Sequence, residues 1–481
     1  MRLYEKTASE LSEMLKNKEC SAVELLNDIN SRIGEKEPSV GAYVTLNAKA
    51  AETAEAVDRA IANGEDIHPL AGIPIGIKDN ISTKGLATTC CSKMLENYVP
   101  PFNATVVDKI NEANMVITGK MNMDEFAMGS STETSYMHLT HNPHNLEYVP
   151  GGSSGGSAAA IASGEAILTL GSDTGGSIRQ PASLCGIVGL KPTYGSVSRF
   201  GLIAFASSLD QIGPMGKSVK DVAMLQSLIC GYDKSDATSK NIDLSRGDYA
   251  SNLMPNVSGL RVGVPKEYFD DEMDGNVKQM VYIAIKEMEA NGAVVRGISL
   301  PSTKHATTAY HIIGCSEASS NLARFDGVKY GYRTKEYSNF AELFEKSRGE
   351  AFGDEVKFRI MLGIYSLSTG NYEKYFKKAM LVRKMISAEL HEALSECDVL
   401  VTPTTPSAAF KIGECNDVTD NYYCNRYVVP VNLAGLPAIS VPCGKDDSGL
   451  PFGMQLIGGK FCEQTLLNTA FAYEQFVGGF K

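Results

Sequence analysis

The chain has 481 residues, 43% of them hydrophobic and 21% charged, a make-up typical of a globular protein with a large buried core. Its net charge of −11 argues against a protein that grips nucleic acid by itself, which needs a basic face, but leaves room for a partner that does so. No apolar run is long enough to cross a bilayer, no secretory signal opens the chain, and eleven scattered cysteines form no C-x-x-C pair, so a cytoplasmic protein with reduced thiols and no metal site is expected.

Residues 1–65 read as helices packed on the domain that follows. Thr7 with Glu10, and Ser21 with Glu24, have the spacing of capping boxes. After Ser21, residues Ala22, Leu25, Leu26, Ile29 and Ile33 fall on one helical face. Ala48, Ala51, Ala54, Val57 and Ile61 predict another helix. Residues 66–481 read as one large α/β domain. Short apolar runs there predict strands at 73–77, 115–118, 167–170, 187–190, 260–264, 293–298, 399–402, 438–441 and 453–457, with helices between several of them. The clearest helix spans 275–291 and stops at Gly292. The polar stretch 233–259 predicts a long surface loop or a boundary between subregions.

Two glycine-serine clusters stand out. The first is Gly151-Gly152-Ser153-Ser154-Gly155-Gly156-Ser157, and the second is Gly171-Ser172-Asp173-Thr174-Gly175-Gly176-Ser177. In isolation the first reads as a flexible linker. It leads straight into Ala158-Ala159-Ala160-Ile161-Ala162, which puts it at a helix N-terminus with free N–H groups. Together the clusters predict one pocket built from main-chain donors and hydroxyls.

Three other patterns lead elsewhere. Gly151–Gly155 satisfies G-x-S-x-G, but His305, His311 and His391 downstream have no persuasive triad context. Residues 213–218 resemble a P-loop two residues too short. His138, His141 and His144 recur every third residue, but Pro143 interrupts any helix that would stack them. Lys78, at the end of an apolar run, reads by itself as a surface residue; only burial would make it a base.

Taken together, Lys78, the first cluster and the stretch Asp173–Pro181 resemble the amidase signature family. The spacings agree, with Lys78 and Ser153 75 residues apart and Ser153 and Ser177 24 apart. The resemblance implies the family fold, a large mixed β-sheet flanked by helices on both faces. It implies that Ser177 attacks, Ser153 (after a cis peptide bond) relays the proton, and Lys78 is the base. The N–H groups of Thr174, Gly175, Gly176 and Ser177 would form the oxyanion hole.

The segments Gly119–Ser131, Glu317–Gly327 and Pro430–Pro437 are similar to those of one subgroup, the glutaminase subunits of tRNA-dependent amidotransferases. That likeness implies glutamine hydrolysis in this chain. The ammonia would go to subunits B and C of a heterotrimer, with no membrane involved. There it would amidate Glu-tRNA(Gln) or Asp-tRNA(Asn), using ATP and magnesium held by the partner. No cofactor is expected in this chain. Arg359 would grip the glutamine carboxylate, with Tyr310, Gly129 and Ser130 in the same pocket. Asn425 stands where the subgroup usually has an aspartate that grips the ammonium. Asparagine still accepts a hydrogen bond but lacks the charge. Weaker glutamine binding, another amide donor, or compensation by another acid remain open. So does a stand-alone amidohydrolase acting on another small amide.

Overall fold

The N-terminal helices form where their caps predict. In the computed structural model, which describes residues 2–241, 248–270, 272–414 and 423–480, both capping boxes are made, and the helices Ala8–Lys16 and Ala22–Val40 follow them. Ala22, Leu25, Leu26, Ile29 and Ile33 are all buried. A third helix, Ala50–Asn63, buries Ala50, Ala54 and Val57.

Between the second and third helices lies a strand that apolar periodicity did not indicate, β1 (Tyr43–Leu46). It pairs antiparallel with β3, so the N-terminal region is not helical throughout but contributes the outermost strand of the sheet. Four residues with one side wet carry too little pattern to be read as a strand.

The remaining strands are β2 (Pro74–Lys78), β3 (Val116–Met121), β4 (Leu168–Asp173), β5 (Val188–Lys191), β6 (Gln211–Gly216), β7 (Arg261–Pro265), β8 (Val294–Ile298), β9 (Val399–Pro403), β10 (Ala438–Lys445) and β11 (Pro451–Gly458). Every predicted strand is present. β6 was missed because Gly213, Pro214 and Gly216 read as breakers, and this is where the short P-loop likeness lies. The eleven strands among the described residues form one mixed sheet in the order β1-β3-β2-β4-β6-β5-β10-β11-β9-β7-β8. β2 runs parallel to β3 and β4, and β7 to β8 and β9; the other pairs are antiparallel.

β2, β4 and β6 are buried at every residue, which requires cover on both faces of the sheet. Helices supply it. One apolar cluster runs from Leu11 and Ile29 through Ile75 and Leu170 to Leu456 and Leu467. The helix Gly275–Ala290 ends with Asn291 as cap and Gly292 at φ +98° just beyond. Of the polar stretch 233–259, residues 242–247 lie outside the described residues, and the rest forms neither helix nor strand.

Candidate active site

Three segments meet at the carboxyl ends of β2 and β4. Lys78 is the last residue of β2, and burial on both sides leaves its side chain nowhere to reach water. The reading of Lys78 as a surface residue therefore fails: it is 0% exposed. Its Nζ donates to Ser153 Oγ at 2.7 Å, to Ser154 Oγ at 2.8 Å and to the Ser172 carbonyl at 3.3 Å. Burial drives the amine down to about 7, although Asp124 and Asp173 favour its charged form.

The first glycine-serine cluster is a turn into the helix Gly155–Ser163, not a linker. Its Gly152–Ser153 peptide bond is cis. The Gly152 N–H donates to Gln180 Oε1 at 2.9 Å, and Gln180 Nε2 donates to the Ser130 carbonyl at 2.9 Å. Gln180 thus ties the serine turn to the loop that carries Gly129 and Ser130. The second cluster follows β4 and leads into the helix Arg179–Cys185. The Ser154 N–H donates to the Ser177 carbonyl at 3.2 Å, which brings the two clusters together. Ser177 is nearly buried, at 6% exposed.

The four main-chain donors expected around Ser177 are not equivalent. The Gly176 N–H is committed to Asp173 Oδ1 at 2.8 Å, so it is not free to meet an oxyanion. Among the described hydrogen bonds, none is donated by the N–H of Thr174, Gly175 or Ser177. Asp173 also accepts from the Ile178 N–H, from Arg179 through both Nε and Nη2, and from Asn432. Burial opposes its charge, but the Arg179 guanidinium outweighs that and holds the carboxyl well below the usual range. The Thr174 hydroxyl is anchored on Asp210 at 2.7 Å.

On the substrate side, Tyr310 packs on the second cluster. A Cβ at Gly175 would lie 2.5 Å from its ring, so only glycine lets the loop approach so closely. Arg359, 4% exposed, lies over the Phe205 ring and pairs with Glu355 one helical turn away at 2.7 Å. Asn425 donates to Ser130 Oγ at 2.8 Å, and its buried Oδ1 has no partner among the described residues. That oxygen lies 3.4 Å from where a Gly176 side chain would start. Gly129 abuts the Asp124 carboxylate.

The histidine triplet is spent on structure. His138 Nε2 contacts the Tyr43 carbonyl, His141 Nδ1 that of Leu146, and His144 Nε2 that of Cys185. Three participants escaped the sequence reading. Ser154 shares Lys78 with Ser153, and its only signal was its place in the serine run. Arg179 braces Asp173 from six residues away, and Asn432 reaches both from the far end of the chain, 259 residues from Asp173, which no spacing reveals.

The family model described as Amidase matches residues 24–467. The chain is similar to the A-subunit of glutamyl-tRNA(Gln) amidotransferase from Carboxydothermus hydrogenoformans, at 54% identity over 99% of this chain and 98% of the relative. The protein of the same name from Desulforamulus reducens is 53% identical over the same shares. Among solved structures, the A-subunit of glutamyl-tRNA(Gln) amidotransferase from Thermotoga maritima superimposes with a TM-score of 0.80 at 42% identity, covering 98% of this chain and 95% of that one. The peptide amidase of Stenotrophomonas maltophilia gives 0.84 at 28% identity, covering 99% and 98%.

Proposed function

This chain belongs to the amidase family, and from that premise we propose that it is the glutaminase subunit of a tRNA-dependent amidotransferase. Two supports converge: its full-length likeness to amidotransferase subunits, and a buried, deprotonatable Lys78 bonded to Ser153 beside Ser177.

Ser177 Oγ attacks the side-chain amide carbon of glutamine. Its proton passes to Ser153, and the Ser153 proton to neutral Lys78. The oxyanion that forms lies against the N–H groups of Thr174, Gly175 and Ser177. Collapse returns the proton to the leaving nitrogen through Ser153 and frees ammonia. A γ-glutamyl ester remains on Ser177, and water hydrolyses it by the same relay. In this reading the ammonia is consumed by partner subunits B and C, which would hold the ATP and magnesium that activation of the tRNA-borne carboxylate requires. Arg359 with Tyr310 receives the α-carboxylate, and the unpartnered Asn425 Oδ1 accepts from the ammonium.

The test is glutamine-dependent transamidation of Glu-tRNA(Gln) and Asp-tRNA(Asn) by the chain combined with subunits B and C. Activity is expected, and Ser177→Ala should abolish both ammonia release and transamidation. Glutaminase activity surviving that substitution would remove the mechanism. The replacement of the usual aspartate by Asn425 keeps a second reading, a stand-alone hydrolase of simple amides. Robust turnover of such amides without partners, and no transamidation with them, would favour it.

A further inference from the structure

We infer that Glu125 is a positioning residue for the amide donor: it holds the helix that carries Arg359 at a set distance from the serine turns. This rests on the glutaminase reading above.

The helix in question is Asp354–Leu367, and Gly353 is its N-cap with no side chain of its own to offer. Glu125, from the short 3-10 turn after β3, instead supplies an acceptor to the N–H of Gly353 itself, as the acid of a capping box does. Its Oε2 accepts the Gly353 N–H at 2.8 Å, and its Oε1 accepts the Ser92 hydroxyl. Both oxygens are thus used, one on each side, and the residue is 3% exposed. A Cβ at Gly353 would lie 2.4 Å from Oε2, so a larger residue there would push the Glu125 carboxyl aside. Burial pushes the Glu125 carboxyl up to about 7, and its charged form meets the positive pole of this helix.

The contact is braced on both sides. Phe126, the next residue, packs its ring on Phe352 and Phe325. The preceding residue, Asp124, accepts from Thr134 at 2.8 Å and so fixes the loop that holds Ser130, the partner of Asn425. Two adjacent acidic residues therefore face two halves of the donor pocket. Asp124 serves the Ser130–Asn425 half, and Glu125 serves the Arg359 half.

The far end of the same helix is pinned by packing. A Cβ at Gly363 would overlap the Cys315 carbonyl, at 2.0 Å, so this helix lies directly on the helix Ala306–Asn321. That second helix carries Tyr310, which rests on Gly175 beside Ser177. Arg359 lies between the two anchor points. Releasing the Glu125 anchor lets the first turn of the helix move, shifting Arg359 relative to Tyr310 while Lys78 stays on β2 and the two serine turns stay tied to Gln180 and to each other. The expected signature is impaired donor binding with the chemical step kept.

The experiment measures glutaminase kinetics of the chain assembled with its partner subunits, for wild type, Glu125→Ala and Glu125→Gln. Glutamine can still accept the Gly353 N–H, and alanine cannot. For Glu125→Ala, KM for glutamine should rise about tenfold or more, with kcat within about threefold. Glu125→Gln should recover most of the lost affinity. Should Glu125→Ala fail to fold, Ser92→Ala, which removes the hydrogen bond to Oε1 together with the one from the Met94 N–H, should raise KM by a smaller factor with kcat retained. An unchanged KM, a fall in kcat with KM constant, or no recovery by Glu125→Gln overturns the proposal. Wild-type assemblies without glutaminase activity would instead overturn the functional reading beneath it.

Discussion

Lys78 acquires its chemistry from its surroundings. A free lysine is protonated at neutral pH and cannot accept a proton. At the end of β2, desolvation brings its amine down to about 7, so about half the molecules carry the neutral form near pH 7. In the proposed relay the neutral form is the reactive one. Ammonia release at low glutamine should therefore fall about tenfold per pH unit below about 7 and level off above it. Lys78→Met, which nearly keeps the volume, should lower kcat/KM by about 10²- to 10⁴-fold and abolish that acidic limb. A pH series of ammonia release checks both, and an unchanged limb in the variant would assign it to another group. Ser154 shares the amine, but its hydroxyl is committed to the Ser172 carbonyl at 3.1 Å, so Ser154→Ala should lower ammonia release less than Ser153→Ala in the same assay.

At the scale of elements, the N-terminal helices show where local signals suffice. Thr7, Ser21, Glu10 and Glu24 specify two helix starts by hydrogen bonds that span three residues. The apolar face of Ala22–Val40 then joins the main core. Ile29 is fully buried there, so Ile29→Ala should destabilise the protein by about 2–5 kcal/mol. Denaturant unfolding followed by far-UV CD measures it, and a loss below about 1 kcal/mol would mean the helix is not part of the cooperative core. β6 is the opposite case. Its proline and glycines speak against a strand, yet it is held between β4 and β5 in the middle of the sheet. Pairing on both sides and full burial outweigh a poor local propensity. Asp173, at the end of β4, pairs with Gln211 of β6, so a strand invisible to periodicity helps position the second cluster.

For the whole molecule, the sheet carries the consequence. β1 covers the edge of β3, and the helices around it share one apolar cluster with strands across the sheet. Deleting residues 1–65 would expose a bare strand edge and a broad apolar face. Such a truncation should be insoluble or aggregated, which expression followed by size-exclusion chromatography would show; a stable monomer would make the N-terminal region an independent appendage. Much of this protein was already written in its residue order. Nine of eleven strands among the described residues, the cap-defined helices, the two serine turns and the pairing of Lys78 with Ser153 follow from periodicity, turn chemistry and motif spacing, because these depend on neighbours a few residues apart or on a recognisable family pattern. Only the folded chain decided that Lys78 is dry, that the Gly176 N–H belongs to Asp173, and that Arg179, Asn432 and Glu125 brace the site. Those contacts join segments as many as 259 residues apart, and burial and long-range pairing exist only once the sheet has brought them together.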